Sequence, residues 1–267
     1  MSRRIITLTT DFGMKDPYVA EMKAAVLGIY PEVTLIDISH EIEKFNIQIG
    51  AYILSAATDY FPKGTIHVAV VDPGVGTIRR SILIQTKQSF LIGPDNGLLS
   101  LAAERAGIEH IYEISNPCFM LPVISSTFHG RDIFAPVAAH LAKGVAAFEV
   151  GPEVNEIVRP EFAKSVTGKE SIMGKVLHLD GFGNIITNIT KAKISSLAFC
   201  RQLDIKLSGR KVRLKFYKTY GEAKPAKPFA LIGSHGYLEI AVNQSSAAEK
   251  FEAKLGDKIT VLLTQRP

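Results

Sequence analysis

Cysteine is scarce in this chain of 267 residues, which contains only Cys118 and Cys200. The two lie far apart, and neither belongs to a CxxC or Cys/His pattern with metal-ligand spacing. The cysteine content therefore argues against a disulfide scaffold and against a structural zinc site. We expect both thiols to be buried as small hydrophobic side chains.

The sequence also has no long hydrophobic run. A membrane-spanning helix needs about 20 consecutive apolar residues, and no segment approaches that length. The first apolar run is interrupted at Asp11, before the core of a secretory signal could form. The composition, 46% hydrophobic and 21% charged, is that of a folded soluble protein. We therefore expect a cytoplasmic location and no membrane partner.

Positive charge is not concentrated anywhere in the chain, although the formal net charge is +5. The densest basic group, at residues 206–227, alternates with apolar residues as in a strand with one solvated face. No basic arm or stripe is present that would follow a phosphate backbone. We therefore expect no nucleic-acid partner.

The length predicts two domains, with a boundary after residue 164. In residues 1–164, apolar strands alternate with helices, which predicts an α/β fold with a mostly parallel sheet flanked by helices. Asp16 is the predicted N-cap of the first helix, which runs to about residue 29. The strands are predicted at residues 5–9, 34–38, 65–71, 81–85 and 90–92, and the later helices at 47–61, 98–106 and 132–143.

Residues 165–267 have a different texture, with short strands closely spaced and few helical patterns. This spacing predicts a smaller all-β domain, a barrel or a sandwich. Its strands are predicted at residues 174–179, 185–189, 203–207, 211–216, 229–233, 238–242 and 258–263.

Four polar clusters in the first domain are candidates for chemistry, at residues 9–13, 72–79, 93–97 and 126–132. We expect each of them to follow a strand. Loops at one edge of a parallel sheet converge in space, so acids, an arginine and a histidine that are distant in sequence can meet in one cleft.

Each of these side chains also has a structural alternative, and the sequence alone leaves the choice open. Aspartates in such loops are common caps and turn formers, and a histidine or arginine there is often a satisfied surface residue. The residues concerned are Asp11, Asp72, Arg79, Asp95, Asn96, His129 and Asp132.

Several familiar chemistries lack their motifs. The Gly74-Val75-Gly76 segment has no third glycine of a dinucleotide fingerprint, and no GxxxxGK[ST] segment exists. A GxSxG elbow and a histidine pair at metal-ligand spacing are also missing. We therefore expect neither a nucleophilic-serine enzyme nor a zinc hydrolase, and we expect no metal or other cofactor.

The motifs, taken together and in order, resemble one family across nearly the whole chain. They are TDFG with DPYV, VDPGVGT followed by Arg79, IGPDNG, FHGRD, DGFGN with Asn188, and SHGYLEIAVNQ. In these segments the chain resembles the S-adenosyl-L-methionine hydroxide adenosyltransferases, which are relatives of bacterial fluorinase and chlorinase.

The resemblance implies an enzyme in which Asp72, Arg79 and His129 form a catalytic trio. The trio would polarise a water that attacks the ribose C5′ and expels methionine, so that S-adenosyl-L-methionine, or its (R)-sulfonium epimer, yields adenosine and methionine. The alternatives are halide-dependent halogenation at the same carbon and a non-catalytic protein that binds adenosine or S-adenosyl-L-methionine. We see no sign of the halide pocket of the halogenating relatives.

The residue types suit this reaction. The sulfonium leaves as a neutral thioether, so the reaction needs a positioned, partly desolvated nucleophile rather than an acid for the leaving group. Asp72 or His129 can accept the proton of the water, and Arg79 can orient the water and stabilise hydroxide-like charge. The sequence does not decide between the two bases, although we favour His129 held by a carboxylate.

The resemblance also implies the contacts to substrate. Asp11 would hold the ribose hydroxyls, Phe12 would form an apolar wall, and Phe182 would stack on adenine. A partner subunit would complete the site in a homotrimer. The remaining implied binding residues are Asp95, Asn96 and Phe128; Asp180, Asn184 and Asn188 for the amino-acid end; and Ser234, Tyr237, Glu239 and Val242 for adenosine.

Overall fold

The computed structural model describes residues 4–194 and 202–263. The chain divides into two compact units, Met1–Arg159 and Pro160–Pro267. The boundary expected from the sequence, after residue 164, stays a prediction. Within the described residues, no helix combines the length and apolar character that crossing a bilayer requires.

The first unit is built on a sheet of six strands in the order β2-β1-β3-β5-β4-β6. The pairs β1/β2, β1/β3 and β3/β5 are parallel, whereas β4 runs antiparallel to both of its neighbours. This arrangement confirms the predicted α/β fold with a mostly parallel sheet. The strands are β1 Ile5–Thr10, β2 Thr34–Ser39, β3 Ile66–Val70, β4 Ser81–Thr86, β5 Phe90–Pro94 and β6 Ile108–Glu113.

Helices cover both faces of this sheet because successive strand residues point to opposite sides. Val68 and Val70 join one buried cluster with residues of the first and fourth helices, and Ala69 joins a second cluster with residues of the other two. The helices are α1 Tyr18–Ile29, α2 Ile47–Thr58, α3 Ser100–Ala106 and α4 Ala135–Lys143.

The structure corrects several local predictions. Asp16 does not cap α1; Pro17 occupies the N-cap position, without a side-chain hydrogen bond. Strand β6 was not predicted, and the helix predicted from residue 132 is a π-helical turn, Gly130–Phe134, followed by α4. Cys118 is exposed rather than buried, and Cys200 lies outside the described residues.

The second unit is a closed β-barrel, which decides the predicted choice between barrel and sandwich. The strand order is β14-β10-β11-β12-β13-β9-β8-β7, and β14 also pairs with β8, which closes a ring of seven strands. Only the pairing of β11 with β12 is parallel among those described. The elements are β7 Val166–Thr167, β8 Ser171–Leu179, β9 Ile185–Thr190, α5 Lys191–Ile194, β10 Gln202–Leu207, β11 Arg210–Phe216, β12 Pro228–Ile232, β13 Tyr237–Val242, α6 Ala247–Phe251 and β14 Lys258–Leu262.

Candidate active site

Three of the four polar clusters lie where the topology predicts, directly after the parallel strands β1, β3 and β5. The fourth does not follow a strand. Residues 126–132 come after an irregular segment with a 3₁₀ turn at Pro117–Phe119, and they lead into the π-helical turn. A rare π-helical turn of this kind is frequent at functional sites.

The structure brings Asp72, Arg79 and His129 into direct contact. The guanidinium of Arg79 donates from Nε to Oδ1 of Asp72 at 3.1 Å and from Nη2 to Oδ2 at 2.6 Å. The same Nη2 lies 2.8 Å from Nδ1 of His129. The side chains of Arg79 and Asp72 are only 10% and 4% exposed, so this bidentate ion pair is largely shielded from water.

The position of Arg79 is fixed from two further directions. Its Nη1 donates to Oγ of Ser81 at 2.8 Å, and its guanidinium lies 5.4 Å from the ring centroid of Phe134. The loop that carries it approaches Ser126 closely at Gly76, where φ is +75° and a Cβ would meet the Ser126 carbonyl oxygen at 2.2 Å. Glycine is therefore required at this turn.

The contact with Arg79 defines the hydrogen-bonding state of His129. A guanidinium has only donors, so Nδ1 of His129 must accept, and the neutral ring then carries its hydrogen on Nε2. Burial and the charge of Arg79 lower the pKa of His129, while Asp72 and Asp132 oppose that shift. The arrangement favoured from the sequence, with His129 held by a carboxylate, is wrong at Nδ1 because an arginine occupies that position.

A cavity of about 310 Å³ opens beside this cluster, which is within the usual size range of small-molecule sites. Arg79 lies behind the wall of this cavity, bonded to two of the side chains that form it. The lining residues are Asp11, Phe12, Tyr18, Lys44, Phe45, Val70, Asp72, Val75, Thr127, Phe128, His129 and Gly130.

The loop at residues 40–45 fastens Asp11 in the cavity wall. The buried Asp11 accepts a hydrogen bond at Oδ2 from the backbone N–H of Phe45 at 2.8 Å, and Nζ of Lys44 donates to the Phe12 carbonyl at 3.2 Å. Phe45 has a φ of 63°, a strained conformation for a bulky residue and one that often marks a functional site. The described residues leave Oδ1 of Asp11 without a hydrogen-bond partner.

Sequence reasoning missed Tyr18, Lys44 and Phe45 as lining residues. Tyr18 completes an aromatic wall with Phe12 and Phe128, with ring centroids 5.3 to 5.7 Å apart in tilted and edge-to-face pairs. Two signals were available: Tyr18 belongs to the DPYV motif, and Phe45 is a large aromatic residue in a mostly polar loop between a strand and a helix.

Asp95 and Asn96 do not line the cavity. Asp95 forms an ion pair with Arg80 and also accepts from the Val158 N–H at 2.8 Å. Asn96 donates to the Val71 carbonyl at 2.9 Å and accepts from the Leu98 N–H at 3.1 Å. These contacts suffice for a structural role, and substrate binding by either residue stays a prediction.

In the second unit, Asp180 organises a tight turn. Its Oδ1 accepts from the N–H groups of Phe182 and Asn184, both at 2.9 Å, and its Oδ2 accepts from Nδ2 of Asn184 at 2.9 Å. Gly183 has a φ of +80°, and a Cβ there would meet Ser246. The turn presents the ring of Phe182 to solvent, 84% exposed.

The remaining predicted residues of the second unit divide between the barrel interior and its surroundings. The side-chain amide of buried Asn188 accepts a hydrogen bond from the Lys175 N–H at 2.8 Å and donates one to the Phe162 carbonyl at 3.0 Å. The side chain of Val242 belongs to the barrel core, whereas Ser234 is exposed in the β12–β13 turn.

Tyr237 and Glu239 alternate along β13 with the residues of the barrel core and are themselves buried. Burial raises the pKa of Glu239, a hydrogen bond from the Tyr220 hydroxyl lowers it in part, and the charge of Asp180 raises it further. A role for either residue in adenosine binding stays a prediction.

Fold and site together define a class of protein: an α/β unit with an Asp–Arg–His cluster in a strand-end cavity, followed by a closed β-barrel. Two family models match this organisation. The N-terminal domain of the SAM hydroxide adenosyltransferases matches residues 6–151, and the C-terminal domain matches residues 174–260. The chain belongs to this family, as its motifs predicted.

Relatives align over nearly the whole chain. An (R)-S-adenosyl-L-methionine hydrolase of Methanocaldococcus jannaschii is 40% identical, covering 97% of this chain and 95% of the relative. A fluorinase of an Actinoplanes species is 30% identical, covering 96% and 97%. The crystal structure of an uncharacterized conserved protein from Thermotoga maritima is 36% identical with a TM-score of 0.87, covering 96% and 99%.

Proposed function

We propose that this protein hydrolyses S-adenosyl-L-methionine to adenosine and L-methionine, with the (R)-sulfonium epimer as its substrate. The observation that carries the proposal is the Asp72–Arg79–His129 cluster at the cavity wall. The relatives named (R)-S-adenosyl-L-methionine hydrolase, at 34 to 40% identity, support it, and those named fluorinase are more distant at 29 to 30%. A cytoplasmic location belongs to the same proposal, because this substrate is made and used inside cells.

In the proposed reaction, a water oxygen forms a bond to the ribose C5′ as the carbon–sulfur bond breaks. The bonding electron pair stays on sulfur, the sulfonium becomes the neutral thioether of methionine, and one proton of the water must be accepted. Positioning and partial desolvation of the water are therefore the main contributions that the protein can make.

Asp72 is the best candidate to accept this proton. The lone pair of His129 at Nδ1 is committed to Arg79, so neutral His129 can only donate to the water, from Nε2. A carboxylate oxygen has more than one acceptor site, so Asp72 can still bind the water while it pairs with Arg79. Arg79 stabilises the hydroxide-like charge and stays protonated throughout.

Asp11 is the proposed anchor of the nucleoside. A carboxylate can accept hydrogen bonds from adjacent ribose hydroxyls, and Oδ1 of Asp11 is the oxygen that the Phe45 N–H leaves available. The rings of Phe12, Tyr18 and Phe128 then offer an apolar wall to the sugar and base.

The proposal includes a homotrimer in which the second unit of a partner completes each site. Apolar side chains on the loops around the cavity are solvent-exposed in the single chain: Met14 by 61%, Phe45 by 68% and Ile78 fully. A group of exposed apolar residues around a cavity is typical of a surface that another surface covers. Sedimentation velocity gives the assembly state, and a monomer would contradict the trimer.

Subunit mixing tests the shared site directly. Asp72→Ala removes a side chain of the first unit, and Phe182→Ala removes the exposed ring of the second unit. If each site combines two chains, mixing the two weakened variants under conditions of subunit exchange restores activity. Failure of exchanged mixtures to regain activity would place both contributions in one chain.

Product analysis tests the reaction. The protein is incubated with each sulfonium epimer, and adenosine and methionine are separated by chromatography. We expect adenosine from the (R)-epimer and a loss of about 10²–10⁴-fold in rate for Asp72→Asn. Absence of adenosine with both epimers would refute the proposal.

The fluorinase relatives favour one second candidate, halide-dependent formation of a 5′-halo-adenosine. This reaction predicts a halogenated nucleoside that increases with added chloride or fluoride. Adenosine formation that is independent of halide would exclude it as the main activity.

A further inference from the structure

Arg131 is the meeting point of three parts of the first unit. From the π-helical turn, its Nε donates to Oδ1 of Asp132 at 2.6 Å and its Nη2 reaches Oδ2 at 3.2 Å. Its Nη1 donates to Oε2 of Glu21 on α1 at 2.8 Å. Its guanidinium also lies over the ring of Phe128, 5.0 Å from the centroid.

Phe128 is thereby held from three directions. Arg131 covers one face of its ring, while Phe12 and Tyr18 contact it edge to face, at centroid distances of 5.7 and 5.3 Å. The backbone is fixed as well, because the Phe128 carbonyl accepts from the N–H groups of Arg131 and Asp132 at 3.2 and 3.1 Å. A displacement of Arg131 must therefore move Phe128 and, one residue along, His129.

Arg131 itself does not line the substrate cavity. It lines an adjoining cavity of about 360 Å³, which shares Phe12, Tyr18 and Phe128 with the first. Phe128 lines both cavities and lies against the guanidinium, so it links Arg131 to the proposed nucleoside site.

We propose that Arg131 is a positioning residue for the nucleoside pocket: by clamping Glu21, Asp132 and the face of Phe128, it fixes the aromatic wall and the adjacent His129. The inference rests on the proposed function for its effect on turnover. Its effect on adenosine binding is independent of turnover.

Lysine cannot replace arginine in this role. The guanidinium of Arg131 is planar and carries donors on several edges. It can therefore donate to Asp132 from Nε and to Glu21 from Nη1 while its face stacks on the ring of Phe128. A lysine ammonium retains the charge beside the fully buried Asp132, but it presents one compact donor group and no planar surface.

The test compares Arg131→Lys with a matched variant, Arg159→Lys. Arg159 pairs with Glu104 at side-chain exposures of 33% and 35%, close to the 34% and 37% of Arg131 and Glu21, and neither Arg159 nor Glu104 lines a cavity described above. We expect Arg131→Lys to weaken adenosine binding, measured by calorimetry, and to raise KM by about fivefold or more. Arg159→Lys should leave both unchanged.

A double-mutant cycle with Phe128→Leu shows whether Arg131 acts through the ring. If it does, the losses of adenosine affinity in Arg131→Lys and Phe128→Leu overlap, and the double variant is little worse than the poorer single one. Fully additive losses, or unchanged affinity in Arg131→Lys, would overturn the inference.

The inference remains testable if Arg131→Lys does not fold and if the proposed function fails. If Arg131→Lys does not fold, the same cycle with Glu21→Ala, which removes the acceptor of Nη1 and leaves the Asp132 pair intact, decides the question by the same criterion. If the parent protein binds adenosine but releases none from either epimer, the proposed function fails, and the binding cycle still tests Arg131.

Discussion

Replacing Arg79 by glutamine tests the electrostatic arrangement of the cluster more directly than any other single change. The substitution removes the cation that binds both oxygens of Asp72 and lies against Nδ1 of His129. Charge-assisted hydrogen bonds contribute about 1.5–3 kcal/mol each. If two of the three act in the transition state, the rate falls by about 10²–10⁴-fold.

The same change has a signed effect on pH dependence. In the parent, burial and Arg79 lower the pKa of His129, and the neutral ring is the form that accepts from Arg79, so activity should fall as pH drops through that pKa. Without Arg79, burial still lowers the pKa of His129, but the charges of Asp72 and Asp132 are no longer offset by the arginine, so this pKa should lie higher than in the parent. The acid limb of the rate profile should therefore move to higher pH in Arg79→Gln.

The assay combines the rate profile with NMR titration of the histidine ring protons. The chain has seven histidines, and a His129→Gln spectrum identifies the resonance of interest. Arg105→Gln is the control, because Arg105 pairs with Asp59 away from the cavity. A pKa of His129 that stays constant or falls in Arg79→Gln would refute the reasoning.

Three further predictions concern single features of the fold. Burial lowers the pKa of His67 to about 4, so the contribution of this histidine to stability should be nearly constant at neutral and higher pH and should decline as pH falls through about 6.5, by about 2 kcal/mol at pH 5; urea titrations of the parent and of His67→Gln should differ by that slope. Gly76→Ala should destabilise the protein and reduce activity far more than Gly209→Ala, which has a φ of +76° but open space around it, as thermal unfolding and rate assays would show. Phe182→Ala should leave the melting temperature within about 1 °C because the ring is 84% exposed, yet raise KM, and an unchanged KM would exclude adenine stacking.

The sequence predicts those parts of the site that follow directly from strand order. Asp11 and Asp72 closely follow parallel strands, so their convergence at one edge of the sheet could be expected from the sequence alone. His129 could not be placed in this way, because its segment follows an irregular stretch and is shaped by a π-helical turn. The hydrogen-bond partner of His129 was predicted wrongly for the same reason, because spacing along the chain does not show that the guanidinium of Arg79 faces the imidazole.

Phe45 shows a second kind of limit. Its contribution to the cavity depends on a left-handed backbone and on a hydrogen bond from its N–H to Asp11, more than thirty residues earlier in the chain. Neither feature has a signature in hydrophobic periodicity, which reports only the regular elements on either side. Strand β6 was missed for a related reason, since its sequence mixes charged and apolar residues at the edge of the sheet.

The order of groups in the cluster suits the leaving group of the proposed reaction. Hydrolases that expel an amine or alkoxide need a histidine that accepts a proton and later returns it, and a carboxylate on Nδ1 serves that shuttle. A sulfonium leaves as a neutral thioether and needs no proton, so the histidine is not required to cycle. For the proposed reaction an arginine on Nδ1 is then an advantage, because it favours neutral His129 as a donor and leaves Asp72, among the three groups of the cluster, to accept the proton from water.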